Sequence, residues 1–203
     1  NKKITFPKIP DDPAIYNICK QFSNILEEDF KFKYSAVQTL SIGLENKELD
    51  CNYYSLLFYT LLNKIKSYPV FPIHTPGHMF IRWYTSDRTY INYETTTKEI
   101  TTDSILRAEF KITKQGEESC LYLCPLTDLQ MTAIHYAELA YDISDTNLIM
   151  SIALNRKALT LDSTSFLVYN NLSVNYFSNE QPDSSDYFYE KAIMLDSMNY
   201  TIY

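Results

Sequence analysis

The apolar positions change period twice along the chain. Ile15, Ile18, Phe22, Ile25 and Leu26 recur at helical spacing and predict an amphipathic helix over about 13–29. Asp12 before Pro13 reads as its N-cap, with proline at the first helical position. A weaker helix is predicted over about 34–42, ending near Gly43, with a polar connection at 45–48. Between 52 and 66, Tyr54, Leu57, Phe58, Leu61, Leu62 and Ile65 fall on one helix face, and Leu56 and Tyr59 widen it. A helix so largely apolar belongs in the core. The period then becomes that of strands. Segments 70–73, 79–84 and 89–95 are apolar, aromatic and β-branched, with Pro72 counting against the first.

Asp103 reads as the cap of a short helix around 104–110, and 121–123 as one more strand. After Pro125 the pattern is helical only, over about 128–144, 147–160, 165–178 and 183–195. The chain is therefore divided into an α+β part, 1–125, and an all-α part, 126–203. The second part repeats itself. The stretches 155–169 (NRKALTLDSTSFLVY) and 189–203 (YEKAIMLDSMNYTIY) are offset by 34 residues, and Lys157, Ala158, Leu161, Asp162, Ser163 and Tyr169 meet identical residues at that offset. The pattern is still running at Tyr203, so whether the array continues stays open.

Composition narrows the class. The 203 residues are 45% hydrophobic and 15% aromatic, led by 18 Tyr, which is the make-up of a packed globular chain. The formal net charge is −7 and there is no basic run, which argues against nucleic acid and anionic membrane surfaces as partners. No apolar stretch approaches the ~18 residues of a membrane span. Cytoplasmic residence and export after removal of a signal segment both stay open. Of the four cysteines, Cys120 and Cys124 lie in a segment that reads as a strand. Four strand residues separate Cα atoms by about 13 Å, beyond the ~7 Å reach of a disulfide. Both are therefore expected to be buried free thiols, as is Cys19.

The candidate chemistry sits in one run, from Leu49 to Thr96. Cys51 opens the apolar helix, where free N–H groups and the helix dipole favour a thiolate. Asp50 beside it works the other way unless its carboxylate turns aside to cap the helix. Pro76-Gly77-His78 leads into a strand, and the strand after it carries Glu94. A hairpin centred on Ser86 would set His78 opposite Glu94, with His78, Phe80 and Arg82 sharing a face with Glu94, Asn92 and Tyr90. A two-residue turn at Ser86-Asp87 would set His78 opposite Thr95 instead. Thiol, imidazole and carboxylate in this order are the parts of a cysteine-dependent acyl-transfer site. The Cys51 backbone N–H is the first candidate for an oxyanion donor, and Gln38 a weaker one. His74 lacks the ligand spacing of a zinc site, so no metal and no cofactor are predicted.

These motifs carry a family resemblance. Leu-Asp-Cys51 opening a helix, Pro-Gly-His78-Met-Phe-Ile-Arg-Trp and Ile-Asn-Tyr-Glu94-Thr-Thr resemble the core of the transglutaminase-like superfamily over about 30–125. The 34-residue pattern that follows resembles tetratricopeptide repeats. The combination is similar to the bacterial branch in which such a core precedes such repeats. The resemblance implies a papain-like arrangement of helices on an antiparallel sheet, and a Cys51–His78–Glu94 triad in a protease, amidase or transglutaminase-like enzyme. Many members have Gly where this chain has Asp50, and Asp where it has Glu94. It also implies an alternative: a non-catalytic module of the same fold, whose repeat helices bind protein partners. The expected partner is a protein or peptide in either case.

Overall fold

The computed structural model describes residues 12–35, 39–85 and 89–197. It divides into two compact units, 1–111 and 112–203. The boundary falls 14 residues before the expected one at 125/126, because the short helix and loop that precede the helical array pack with that array.

The first unit begins with α1 (Asp12–Asn24), which continues into a π-helical turn, Ile25–Asp29. A two-residue strand, β1 (Lys33–Tyr34), pairs in parallel with β2 (Glu48–Leu49) around α2 (Leu40–Asn46). Gly43 therefore does not end the second helix; Lys47 caps it in the left-handed conformation. The central helix, α3 (Cys51–Lys66), follows at once. Four strands come next, β3 (Val70–Thr75), β4 (His78–Tyr84), β5 (Tyr90–Glu94) and β6 (Glu99–Thr101), as an antiparallel meander in chain order. Pro72 lies on the edge strand, where a missing N–H is tolerated. This arrangement is α+β.

One face of the sheet holds the main core. Val70, Ile81, Trp83, Ile91 and Tyr93 pack with Ile15, Ile18, Cys19 and Phe22 of α1 and with Tyr54, Phe58 and Leu62 of α3. Phe58 meets Phe22 edge-on at 4.9 Å, and the Tyr93 hydroxyl reaches Ser23 Oγ at 2.8 Å. The other face carries Phe80 and Ile73, both fully buried, with Arg82 and Asn92. Burial on both faces explains why β4 reads as a nearly continuous apolar run rather than an alternating one. The helix α4 (Asp103–Glu109) lies over that second face, held by its first residue. Asp103 accepts hydrogen bonds from Arg82 Nη2, Asn92 Nδ2 and Tyr90 Oη, each at 2.6 Å. Thr102, not Asp103, is the helix cap.

The second unit opens with α5 (Lys114–Glu118), which the periodicity does not foretell. The predicted strand at 121–123 is absent. Cys120 and Leu123 adopt left-handed φ of 58° and 59°, the chain bends, and the Cα atoms of Cys120 and Cys124 come to 5.3 Å with a disulfide between them. The 13 Å estimate failed because it assumed extended backbone. An alternating segment stays a strand only where another strand pairs with it.

Four helices follow: α6 (Asp128–Asp142), α7 (Leu148–Leu161), α8 (Phe166–Ser178) and α9 (Pro182–Leu195). They pack as two helical hairpins, α6 with α7 and α8 with α9, and α7 and α8 join them. The first and last residues of α7 and α9 are 34 apart, matching the sequence offset. Their C-caps repeat as well: Asp162 has φ −141° and Asp196 φ −152°. Ala158, Ala192 and Leu172 are fully buried, whereas Leu139, Leu161 and Leu195 are only half-buried.

Candidate active site

Three local devices position the thiol. Cys51 is the first residue of α3, so it stands among N–H groups that have no intrahelical partner. The Asp50 carboxylate caps the helix, accepting the Tyr53 N–H at 2.9 Å. Ser55, one helical turn on and on the same face, donates to the Met79 carbonyl at 3.2 Å and also meets Thr95 Oγ1 at 3.2 Å. Met79 is the neighbour of His78. Pinning Ser55 there therefore brings the Cys51 end of the helix to the His78 end of the strand.

The imidazole is set by a tight turn. Thr75 pairs with His78 across Pro76-Gly77, and Gly77 takes a left-handed φ of 68°. This makes His78 the first residue of β4. Tyr84 pairs with Tyr90 and Ile81 with Tyr93, so paired numbers sum to 174 rather than to either expected value, 172 or 173. The Thr85 N–H to Thr89 carbonyl bond of 2.9 Å continues that register. A slip of two leaves every side chain on its face. By that register Glu94 stands opposite Phe80 and diagonal to His78. Its side chain spans the diagonal, and Oε2 lies 2.7 Å from His78 Nε2. The exposures are 15% for His78 and 13% for Glu94, so the pair is largely withdrawn from water.

The Cys51 thiol also acts on His78. Burial opposes the imidazolium, but the hydrogen bonds to Cys51 and Glu94 and their negative charges outweigh it and push His78 up to about 10. With Nε2 engaged by the carboxylate, Nδ1 is the nitrogen left for the sulfur. Cys51 Sγ is 3.9 Å from Asn52 Oδ1. Tyr34, exposed on β1, lies in the same field: burial raises its hydroxyl first, and the charges of Cys51 and Asp50 add to this.

His74, on β3, is held neutral, lowered to about 4 by burial and by the charge of His78. Among the described residues no group of three or more His, Cys, Asp or Glu could hold a metal ion. Gln38 lies outside the described residues. Asn92 does not approach the imidazole partner's role; it accepts from Arg82 Nε at 2.8 Å and donates to Asp103.

The sequence reading missed several supports. Ser55 had a signal, since it is one turn from Cys51. Phe110 had none: its ring stacks on His78 with centroids 4.8 Å apart and planes 8° from parallel. Thr95 and Asp103 likewise act through contacts that span many residues.

No protein-family model matches the chain, and no curated protein does. Among solved structures it is similar to the crystal structure of menin that reveals the binding site for Mixed Lineage Leukemia (MLL) protein, at 13% identity and a TM-score of 0.48. The likeness covers 89% of this chain and 54% of that one, so the chain spans about half the length of that protein. Among the described residues no helix is long and apolar enough to cross a membrane.

Proposed function

We propose that this chain performs cysteine-dependent acyl transfer on amide substrates, as a protease, amidase or transglutaminase-like enzyme. The observation that carries the reading is the His78–Glu94 hydrogen bond beside a thiol, Cys51, that stands at a helix start and acts on the same imidazole, which is favoured as imidazolium. Cys51 Sγ attacks the amide carbonyl and forms a tetrahedral intermediate, with the Cys51 backbone N–H as the oxyanion donor. His78 gives its proton to the departing amine as the C–N bond breaks, leaving a thioester on Cys51. Water or a second amine then attacks the thioester. His78 takes the proton of that nucleophile, and the thiolate leaves. Glu94 keeps Nε2–H engaged so that Nδ1 faces the sulfur throughout.

The fold is, in this proposal, of the papain-like, transglutaminase-like kind, supported by a thiol-bearing helix packed on an antiparallel sheet that supplies histidine and acid from adjacent strands. The second unit is proposed as tetratricopeptide-like, supported by its 34-residue helical hairpins, and as the part that binds a protein or peptide.

Alkylation of Cys51 by iodoacetamide tests the reading. A paired thiolate alkylates at pH ~6, where an ordinary thiol of pKa ~8.5 is roughly 1% ionised or less, and His78→Ala abolishes this. Labelling that rises only near pH ~8.5 and ignores the His78 change would instead assign the chain to the non-catalytic alternative.

A further inference from the structure

The side chains that bind His78 by hydrogen bonds do not account for its orientation. Glu94 holds the imidazole at Nε2 but leaves the ring free to turn about that bond. A second contact removes that freedom. Phe110, the residue that ends α4, lies flat on the imidazole, 4.8 Å between centroids and 8° from parallel. Phe80 flanks it at 6.4 Å and 25°.

The way Phe110 is delivered is itself built. Asp103, at the start of α4, is locked to Arg82, Asn92 and Tyr90, all on the sheet face that carries His78. Arg82 is buried, and its guanidinium lies 3.9 Å over the Tyr90 ring. Leu106, midway along α4, is fully buried. The helix is thus fastened at its first turn and by its middle, and its last turn sets the ring. We propose that Phe110 is a positioning residue for the imidazole: its ring fixes the plane of His78 and, as a π face against a cation, favours the imidazolium. This rests on the acyl-transfer reading for its catalytic meaning, but the effect on His78 does not require that reading.

The titratable groups that act on His78 are Cys51 from α3 and Glu94 from β5; His74 on β3 is held neutral. On α4 the Asp103 carboxylate is engaged by Arg82, Asn92, Tyr90 and, at 4.0 Å, Arg107, and neither these charges nor Glu109 are among the groups acting on His78, so the contact from that side is the ring. Replacing it by an apolar side chain of similar bulk keeps the site as dry and removes only the π face. That separates stacking from shielding, whose loss would act in the opposite direction by easing burial of the cation.

The experiment is a histidine titration by NMR on the full chain, using wild type, Phe110→Leu and Phe110→Tyr, with circular dichroism to check folding. A cation–π contact of this kind predicts that Phe110→Leu lowers the imidazolium-to-imidazole ratio of His78 about three- to tenfold at a given pH. Phe110→Tyr, which keeps the ring, stays within about twofold of wild type. Should Phe110→Leu fail to fold, Phe110→Met makes the same substitution of shape without a ring. A His78 titration unchanged in the folded Leu or Met variant overturns the proposal. Iodoacetamide labelling of the wild type at pH ~6 is run beside it. Absence of that labelling with the Phe110 effect intact removes the catalytic reading and leaves the stacking role standing.

Discussion

Glu94→Gln is the sharpest perturbation of the site. The carboxylate is 2.7 Å from His78 Nε2, and both side chains are largely hidden from water, so its charge is little screened there. His78 rises from 6.5 to about 10 against the cost of burial, with Cys51 and Glu94 as the two partners responsible. At ~1.4 kcal/mol per pH unit this span is a few kcal/mol, shared between them. An amide in place of the carboxylate removes one negative charge and can donate to Nε2, which favours the tautomer with its proton toward the sulfur. The His78 midpoint should then fall by more than about one pH unit. The analogous change in a serine triad costs about 10⁴ in rate; a thiol, far more acidic than a serine hydroxyl, leans less on its base and should lose less, on the order of 10–10³. The assay is acylation of Cys51 by p-nitrophenyl acetate, followed by nitrophenolate release, with His78 titrated by NMR in parallel. Stability has a matching signature. A histidine whose folded value is raised contributes fully below its unfolded value near 6.5, and that contribution is lost as pH rises through about 10. Wild type should therefore lose stability across that window, and Glu94→Gln should flatten the loss. A variant with His78 midpoint and acylation rate both within twofold of wild type would refute the reasoning.

Other outcomes follow from the packing. Asp103→Ala deprives the buried Arg82 guanidinium of its carboxylate and should cost about 3–5 kcal/mol in urea unfolding, whereas Arg82→Met with Asp103→Leu should cost markedly less than the single change. Equal losses from the single and double variants would show that the charge pair is not what matters. Ala158→Leu and Ala192→Leu add bulk at fully buried positions of the helical hairpins and should each cost roughly 1–3 kcal/mol by the same measurement. Unchanged unfolding midpoints would mean that these crossings have room to spare.

Much of the fold is legible in the residues because it depends on neighbours in the chain. The apolar stripes place α1, α3 and α6 to α9 within a few residues, and the 34-residue offset survives as a backbone repeat because each helical hairpin folds on short-range contacts. Pro76-Gly77 fixes His78 at a strand start, since only a tight turn with a left-handed residue suits that pair. Asp50 as a cap is local too. Alternation also settles which side chains share a face, a property that a two-residue slip leaves intact. That is why the residues alone put Glu94 on the face of His78 but do not give the hairpin register.

The rest depends on contacts between distant residues. The register sum of 174 is decided by the turn geometry at Thr85 and Thr89 and by the fit of Ile81, Trp83, Ile91 and Tyr93 against α1 and α3. The 120–124 segment alternates like a strand, yet it bends and closes a disulfide, because an extended segment persists only where another strand answers its hydrogen bonds. Ser55 on the Met79 carbonyl, Asp103 on Arg82 and Phe110 on His78 join residues that sequence spacing cannot relate. Local preference writes the elements and their faces; the partner each face meets, and hence which ring rests on the imidazole, is decided only when the long-range core closes.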